Sequence, residues 1–133
     1  KVIELTKNKI AWIQVGEKNS LKLKYCSSYQ TGRSLIFLVD IIANSDLVFA
    51  NEGLLNHITS SFPNINSYVA FSYYHPKQFY TYPNTITVGN PYPKNKKFES
   101  INWNNPDKIE KNLLAIETKT IAEEILKNEQ KEK

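Results

Sequence analysis

Apolar positions along the chain fall into short clusters separated by polar turns. Val2, Ile3 and Leu5, followed by polar residues 6–9, read as a helix tail running into a strand at 10–15 (IAWIQV) that stops at Gly16-Glu17. Leu21, Leu23 and Tyr25 alternate with Lys22 and Lys24, the period of two of a half-buried strand. Residues 30–33 (QTGR) are a turn. The run at 35–39 has the composition of a fully buried strand. Its length, Ser34 as a candidate N-cap and apolar residues at 35, 38, 39 and 42 instead predict a buried helix over 34–44.

The pattern then predicts a strand at 47–50, a helix at 54–62, a turn at Pro63-Asn64 and a strand at 67–71. An aromatic, proline-punctuated loop covers 72–84, a short strand 85–88, and mostly loop 89–105. Pro106 suits the first turn of a helix over 107–117 with Asn105 as its cap. Thr118 or Thr120 caps a last helix that carries Ile121, Ala122, Ile125 and Leu126 on one face. Strands alternating with helices at this spacing imply parallel βαβ units. The expected class is α/β: a Rossmann-like parallel sheet flanked by helices, in a single domain over 1–133 with C-terminal helices at 106–133. There is no internal repeat.

At 133 residues, with 41% hydrophobic and 23% charged residues, the chain suits one soluble globular domain. Net charge +4 and a pI near 9.1 agree with an anionic ligand. The basic residues are scattered and the tail at 127–133 alternates in sign, so no nucleic-acid-binding stripe is present. The single cysteine, Cys26, excludes an internal disulfide and a cysteine-based zinc site; it suits a small half-buried residue in a reducing, cytoplasmic compartment. No apolar run reaches the roughly 18 residues of a membrane span. There is no secretory signal, and the opening KVIELTKNK reads as the end of a helix, so a fragment is expected.

Several familiar chemistries lack their signatures. The sequence contains no G-x-G-x-x-G, no G-x-x-x-x-G-K and no G-x-S-x-G. His57 and His75 lie in different segments without metal-ligand spacing, and no acidic pair at the expected strand ends would hold magnesium.

The most informative segment is 46–62, DLVFANEGLLNHITSSF. An apolar strand feeds a helix through a Gly-containing turn, the arrangement that places helix N-termini at ligand sites in open α/β folds. The amides of Leu54, Leu55, Asn56 and His57 are expected to lack intrahelical partners and to be open to phosphate oxygens. Gly53 allows close backbone approach, and His57 would donate to a phosphate oxygen held there. Like charges about 4 Å apart cost on the order of 4 kcal/mol at an effective dielectric near 20, more than the helix dipole returns. Glu52 should therefore point away from any phosphates bound there. Gly16 and Glu17 fall on the carboxyl edge of the first strand, with Lys18 or Arg33 available to offset donor charge. Plainer readings stand beside these. His57 serves equally as a surface or capping residue, and Glu52 as a charge favoured near a helix start. Tyr73, Tyr74, Phe79, Tyr80 and Tyr82 either stack on a base or sugar or pack their loop onto its own domain.

Residues 30–62, QTGRSLIFLVDIIANSDLVFANEGLLNHITSSF, resemble the C-terminal half of the family-9 glycosyltransferases, the heptosyltransferase group. That family has a Thr-Gly-type turn (here Thr31-Gly32), a buried helix, a strand, an acidic residue (Glu52) and a histidine five positions later (His57). The similarity continues through the strand at 67–71, with Tyr73, Tyr74, His75 and Pro76 at the place of a Thr-Asp-Pro loop, and Tyr82-Pro83-Asn84-Thr85 leading into the next strand. It covers about residues 10–90. Family members usually have Asp at the place of Glu52, a glycine two residues after it, and Asp at the place of His75.

The resemblance implies a bacterial GT-B glycosyltransferase of which this chain is the donor-binding half. The sugar would pass from a nucleoside diphosphate to a glycan or lipopolysaccharide-type acceptor with inversion, without metal or cofactor. The catalytic base would lie in a separate N-terminal domain, so this chain alone would be inactive. The donor-binding residues implied are Gly16, Glu17, Thr31, Gly32, Glu52, Gly53, Leu54, Leu55, Asn56 and His57, with His57 stabilising the leaving group. Peripheral membrane association of the full enzyme is compatible with this. Two other classes remain open: a non-catalytic module of the same fold that binds a sugar phosphate or a protein, and a receiver-type signalling domain. The latter needs a phosphorylatable Asp at a strand end, which Asn51-Glu52 does not supply.

Overall fold

The computed structural model describes residues 1–70, 82–88 and 117–130. The protein is mixed α/β with parallel sheets flanked by helices, an arrangement compatible with a Rossmann-like fold. Its described strands form two sheets rather than one, and the chain divides into two compact units. One unit is Lys1–Asn44 with Thr118–Lys133; the other is Ser45–Glu117.

In the first unit, helix α1 (Val2–Thr6) precedes strands β1 (Ile13–Gly16) and β2 (Ser28–Thr31), which pair in parallel from Ile13↔Ser28 to Gly16↔Thr31. Backbone bonds extend the pairing at both ends, Ser27 N–H to Trp12 O at 2.7 Å and Gly32 N–H to Gly16 O at 2.8 Å. The strand expected from the alternation at 21–25 does not form. A parallel partner needs a crossover of about a dozen residues, and a strand at 21–25 starts too soon after β1. The chain instead uses 17–27 as the crossover and pairs at 28–31, part of which reads as turn in the sequence. The loop is held open by Gln14, whose buried side chain donates Nε2–H to Leu21 O (2.8 Å) and accepts from Leu23 N–H through Oε1 (2.7 Å).

Helix α2 (Leu35–Ala43) begins as its sequence implies, with Ser34 Oγ accepting from Phe37 N–H at 3.3 Å. It is not the buried helix expected. Only Ile42 is buried, while Leu35, Ile36 and Phe37 are exposed. In a βαβ unit the apolar face of such a helix is covered by the sheet that both flanking strands share. Here β2 and the strand after α2 belong to different sheets. The last helix, α4 (Thr118–Glu129; α3 belongs to the other unit), packs against α1. Ile121, Ala122 and Ile125 are buried, and Leu126 is half-buried on the same face. Thr118 is its first residue and Thr120 lies inside its first turn. Val2, Thr6 and Trp12 complete the buried set, with the indole N–H donating to Thr6 Oγ1 at 2.7 Å and the Thr6 hydroxyl to Val2 O at 2.9 Å.

The second unit holds β3 (Leu47–Asn51), α3 (Leu54–Thr59), β4 (Asn66–Ala70) and β5 (Thr85–Val88). The sheet is parallel throughout in the order β3-β4-β5, with Leu47↔Asn66 and Ser67↔Thr85 setting the register. The central strand is the core: Ser67, Tyr68, Val69 and Ala70 are all buried. Helix α3 is shorter than the expected span of 54–62; residues 60–62 continue as turns, with Phe62 N–H bonded to Thr59 O at 2.9 Å. The helix expected over 107–117 lies outside the described residues except for Glu117, which is in no element. No helix among the described residues is long and apolar enough to cross a membrane.

Candidate functional site at the β3–α3 turn

The strand, turn and helix expected over 46–62 are present. β3 ends at Asn51, and Glu52 and Gly53 make the turn into α3. Gly53 adopts φ 141° and ψ −151°, a region essentially reserved for glycine. A Cβ there would meet nothing within 4 Å, so its glycine is required by the backbone and the space beside it is open. Leu54, the first helical residue, is exposed.

The four amides expected to be free reduce to three. Gly53 is the N-cap and its carbonyl accepts from His57 N–H at 3.2 Å, which satisfies the His57 amide. The amides of Leu54, Leu55 and Asn56 precede that first helical bond, and the N-cap, a glycine, has no side chain to cap them. The Asn56 side chain is buried and turned inward. Its Oδ1 accepts from Ser67 Oγ on β4 and Thr85 Oγ1 on β5, each at 2.9 Å. It ties α3 to the sheet, and only its backbone faces the turn's chemistry.

His57 is exposed, and its ring meets Tyr82. Nδ1 lies 2.7 Å from the tyrosine hydroxyl, and the rings meet edge-on at 5.7 Å between centroids. Tyr82 is held in turn by its own segment: its backbone N–H is 3.3 Å from Thr85 Oγ1, and its carbonyl accepts from Thr85 N–H at 2.9 Å. The neighbouring Asn84 is buried, and its Nδ2 reaches Thr59 O (3.0 Å), Phe62 O (3.1 Å) and Ile65 O (2.9 Å). These carbonyls lie at and beyond the C-terminal end of α3, where a helix leaves acceptors unsatisfied. Asn84 and Thr85 thus pin the segment carrying Tyr82 against α3.

The remaining expected donor residues form a second cluster, in the first unit. Gly16 pairs with Thr31, and Gly32 follows with φ 70°. A Cβ on Gly32 would lie 3.0 Å from Lys18 Cβ and 3.1 Å from Lys18 Cα, so the glycine permits the close approach of that loop. Glu17 is exposed beside it and accepts from Ser20 N–H at 3.0 Å. Arg33 is occupied by Gln30 Oε1 at 3.2 Å and by the Phe37 ring. Gly16, Glu17, Thr31 and Gly32 are therefore neighbours at one sheet end, and residues 52–57 are neighbours at another.

Tyr73, Tyr74, His75, Pro76, Phe79 and Tyr80 lie outside the described residues. Cys26 is half-buried, and burial pushes its thiol above the ordinary range, away from nucleophilic use. Among the described residues no group of three or more His, Cys, Asp or Glu could hold a metal ion.

The polar scaffold of Asn56, Ser67, Asn84 and Thr85 leaves little trace in the sequence, where Tyr82 groups with the loop aromatics. The one available signal is the Tyr-Pro-Asn-Thr turn before β5, in which Asn marks a side chain suited to backbone capping. The chain matches no protein-family model, no curated protein and no solved structure.

Proposed function

We propose that the chain is the donor-binding part of a heptosyltransferase-like GT-B glycosyltransferase, and that the β3–α3 turn receives the diphosphate of a nucleoside-diphosphate sugar. The observation that supports this best is the open turn itself. An acid, a glycine in a glycine-only conformation that serves as N-cap, a helix start and an exposed histidine follow one another at the carboxyl end of a parallel strand. Carboxyl edges of parallel strands are where open α/β sheets bind ligands. On this reading Leu54, Leu55 and Asn56 offer backbone N–H groups, His57 offers a side-chain donor, and Glu52 faces sugar hydroxyls. The acceptor and catalytic base belong to a second domain, so this chain binds donor and transfers nothing by itself.

Titration with ADP, UDP and GDP, read by calorimetry and by amide shifts of residues 52–57, tests the proposal. One nucleotide should bind in the micromolar-to-millimolar range, and His57→Ala should weaken it about tenfold, the loss expected for a hydrogen bond to a charged group. Silence toward all three nucleotides removes the donor site. It would favour a non-catalytic module that recognises a protein, a reading supported by the exposed apolar residues Leu21, Leu35 and Ile36.

A further inference from the structure

The contact between His57 and Tyr82 carries a consequence for how the histidine meets an anion. We infer that Tyr82 is a positioning residue: its hydroxyl donates to His57 Nδ1 and so holds the ring in the tautomer with its proton on Nε2. This rests on the donor-site reading for its use, but not for its geometry. The two atoms are 2.7 Å apart, a short distance for a neutral pair and one that requires a shared proton between them. A phenol is a good donor and an unprotonated imidazole nitrogen a good acceptor, whereas a neutral phenol oxygen accepts weakly. Donation from Tyr82 to Nδ1 is therefore the better of the two arrangements, and it leaves the single ring proton on Nε2.

The surroundings allow this arrangement to persist. The residues either side of the contact are fixed by buried groups, Asn56 on α3 and Asn84 and Thr85 beside Tyr82. The edge-on ring contact restricts rotation of the imidazole. Nε2 makes no hydrogen bond among the described residues, and His57 is exposed. The tyrosine thus converts a residue with two interchangeable tautomers into one that presents a fixed Nε2–H donor outward. Such a group can bind a phosphate oxygen without first taking up a proton.

Nitrogen-15 spectra of the full chain, recorded without ligand above about pH 8 where imidazole is neutral, test the inference. The chain has 2 histidines, so the spectrum of His57→Ala identifies the His57 signals. The expected result is Nδ1 at the unprotonated, pyridine-type end of the range and Nε2 at the protonated, pyrrole-type end. In Tyr82→Phe the two signals should move toward each other as the tautomers mix, while the amide signals of Ser67 and Thr85 stay in place. A pyrrole-type Nδ1 in the unaltered protein, or unchanged signals in a folded Tyr82→Phe, overturns the inference. Because no nucleotide is present, a failed nucleotide titration would remove the donor site and leave this result intact.

Discussion

The two units differ in how fully their interiors satisfy polar groups and cover apolar ones. The unit built on β3, β4 and β5 buries Asn56, Thr59, Ser67 and Asn84, and each has hydrogen-bond partners within the unit. The unit built on β1 and β2 leaves Leu21 85% and Ile36 82% exposed, and it buries Glu124 Oε2 with no partner among the described residues. An apolar pattern therefore locates elements better than it locates an interior. Directional polar contacts cost free energy when any partner is missing, so a fully satisfied set fixes one arrangement of helix and strands.

The largest effect expected from this contrast comes from Asn84→Ala. It removes the side-chain donor shared by three carbonyls, of which Thr59 O and Phe62 O keep backbone partners, a loss of about 1–2 kcal/mol. Urea unfolding followed by amide signals of β4 should show it, and a change below about 0.5 kcal/mol would mean that the polar network contributes little. Leu21→Ser and Ile36→Ser probe the other unit. Despite replacing large apolar residues, each should change stability by no more than about 0.5 kcal/mol, as at ordinary surface positions. A loss of several kcal/mol in either would show that its side chain is covered in solution and would break the comparison.

The smallest effect is a pH dependence. Burial raises the Glu124 carboxyl above its ordinary 4.5. The folded state therefore holds its proton more tightly than the unfolded state does. The relative stabilisation is complete below the unfolded value and is lost as pH rises through the folded one. Glu124→Gln should remove this dependence and make the protein more stable by a few tenths of a kcal/mol at neutral pH, since the group is part-exposed. The gain should vanish below about pH 4. Thermal melts across that range check the sign, and an unchanged slope would mean the carboxylate is solvated in the fold.

How far the sequence could be read follows from the same contrast. Strands at 47–51 and 85–88 were legible because local signals and tertiary context agree there, and the start of the Ser34-capped helix because its cap is local. The alternation at 21–25 misled because it satisfies the strand period while the connection from β1 is too short for parallel pairing. The exposure of α2 was hidden because it depends on which sheet the following strand joins, a long-range choice that periodicity does not encode. At the turn, Glu52, Gly53 and His57 were visible from spacing. Tyr82 was not singled out, since its contact with His57 spans 25 positions. The inward turn of the Asn56 side chain was not legible, because an amide side chain near a helix start gives no sign of which way it faces.

The unit containing α1 also contains α4, although the whole of Ser45–Glu117 lies between them in the chain. During synthesis, when folding proceeds unit by unit from the leading end, the inserted unit is complete while the enclosing one still lacks Ile121, Ala122 and Ile125. The face of α1 that packs on α4 would thus wait uncovered until that helix is made. The order of assembly would run from the middle of the message outward.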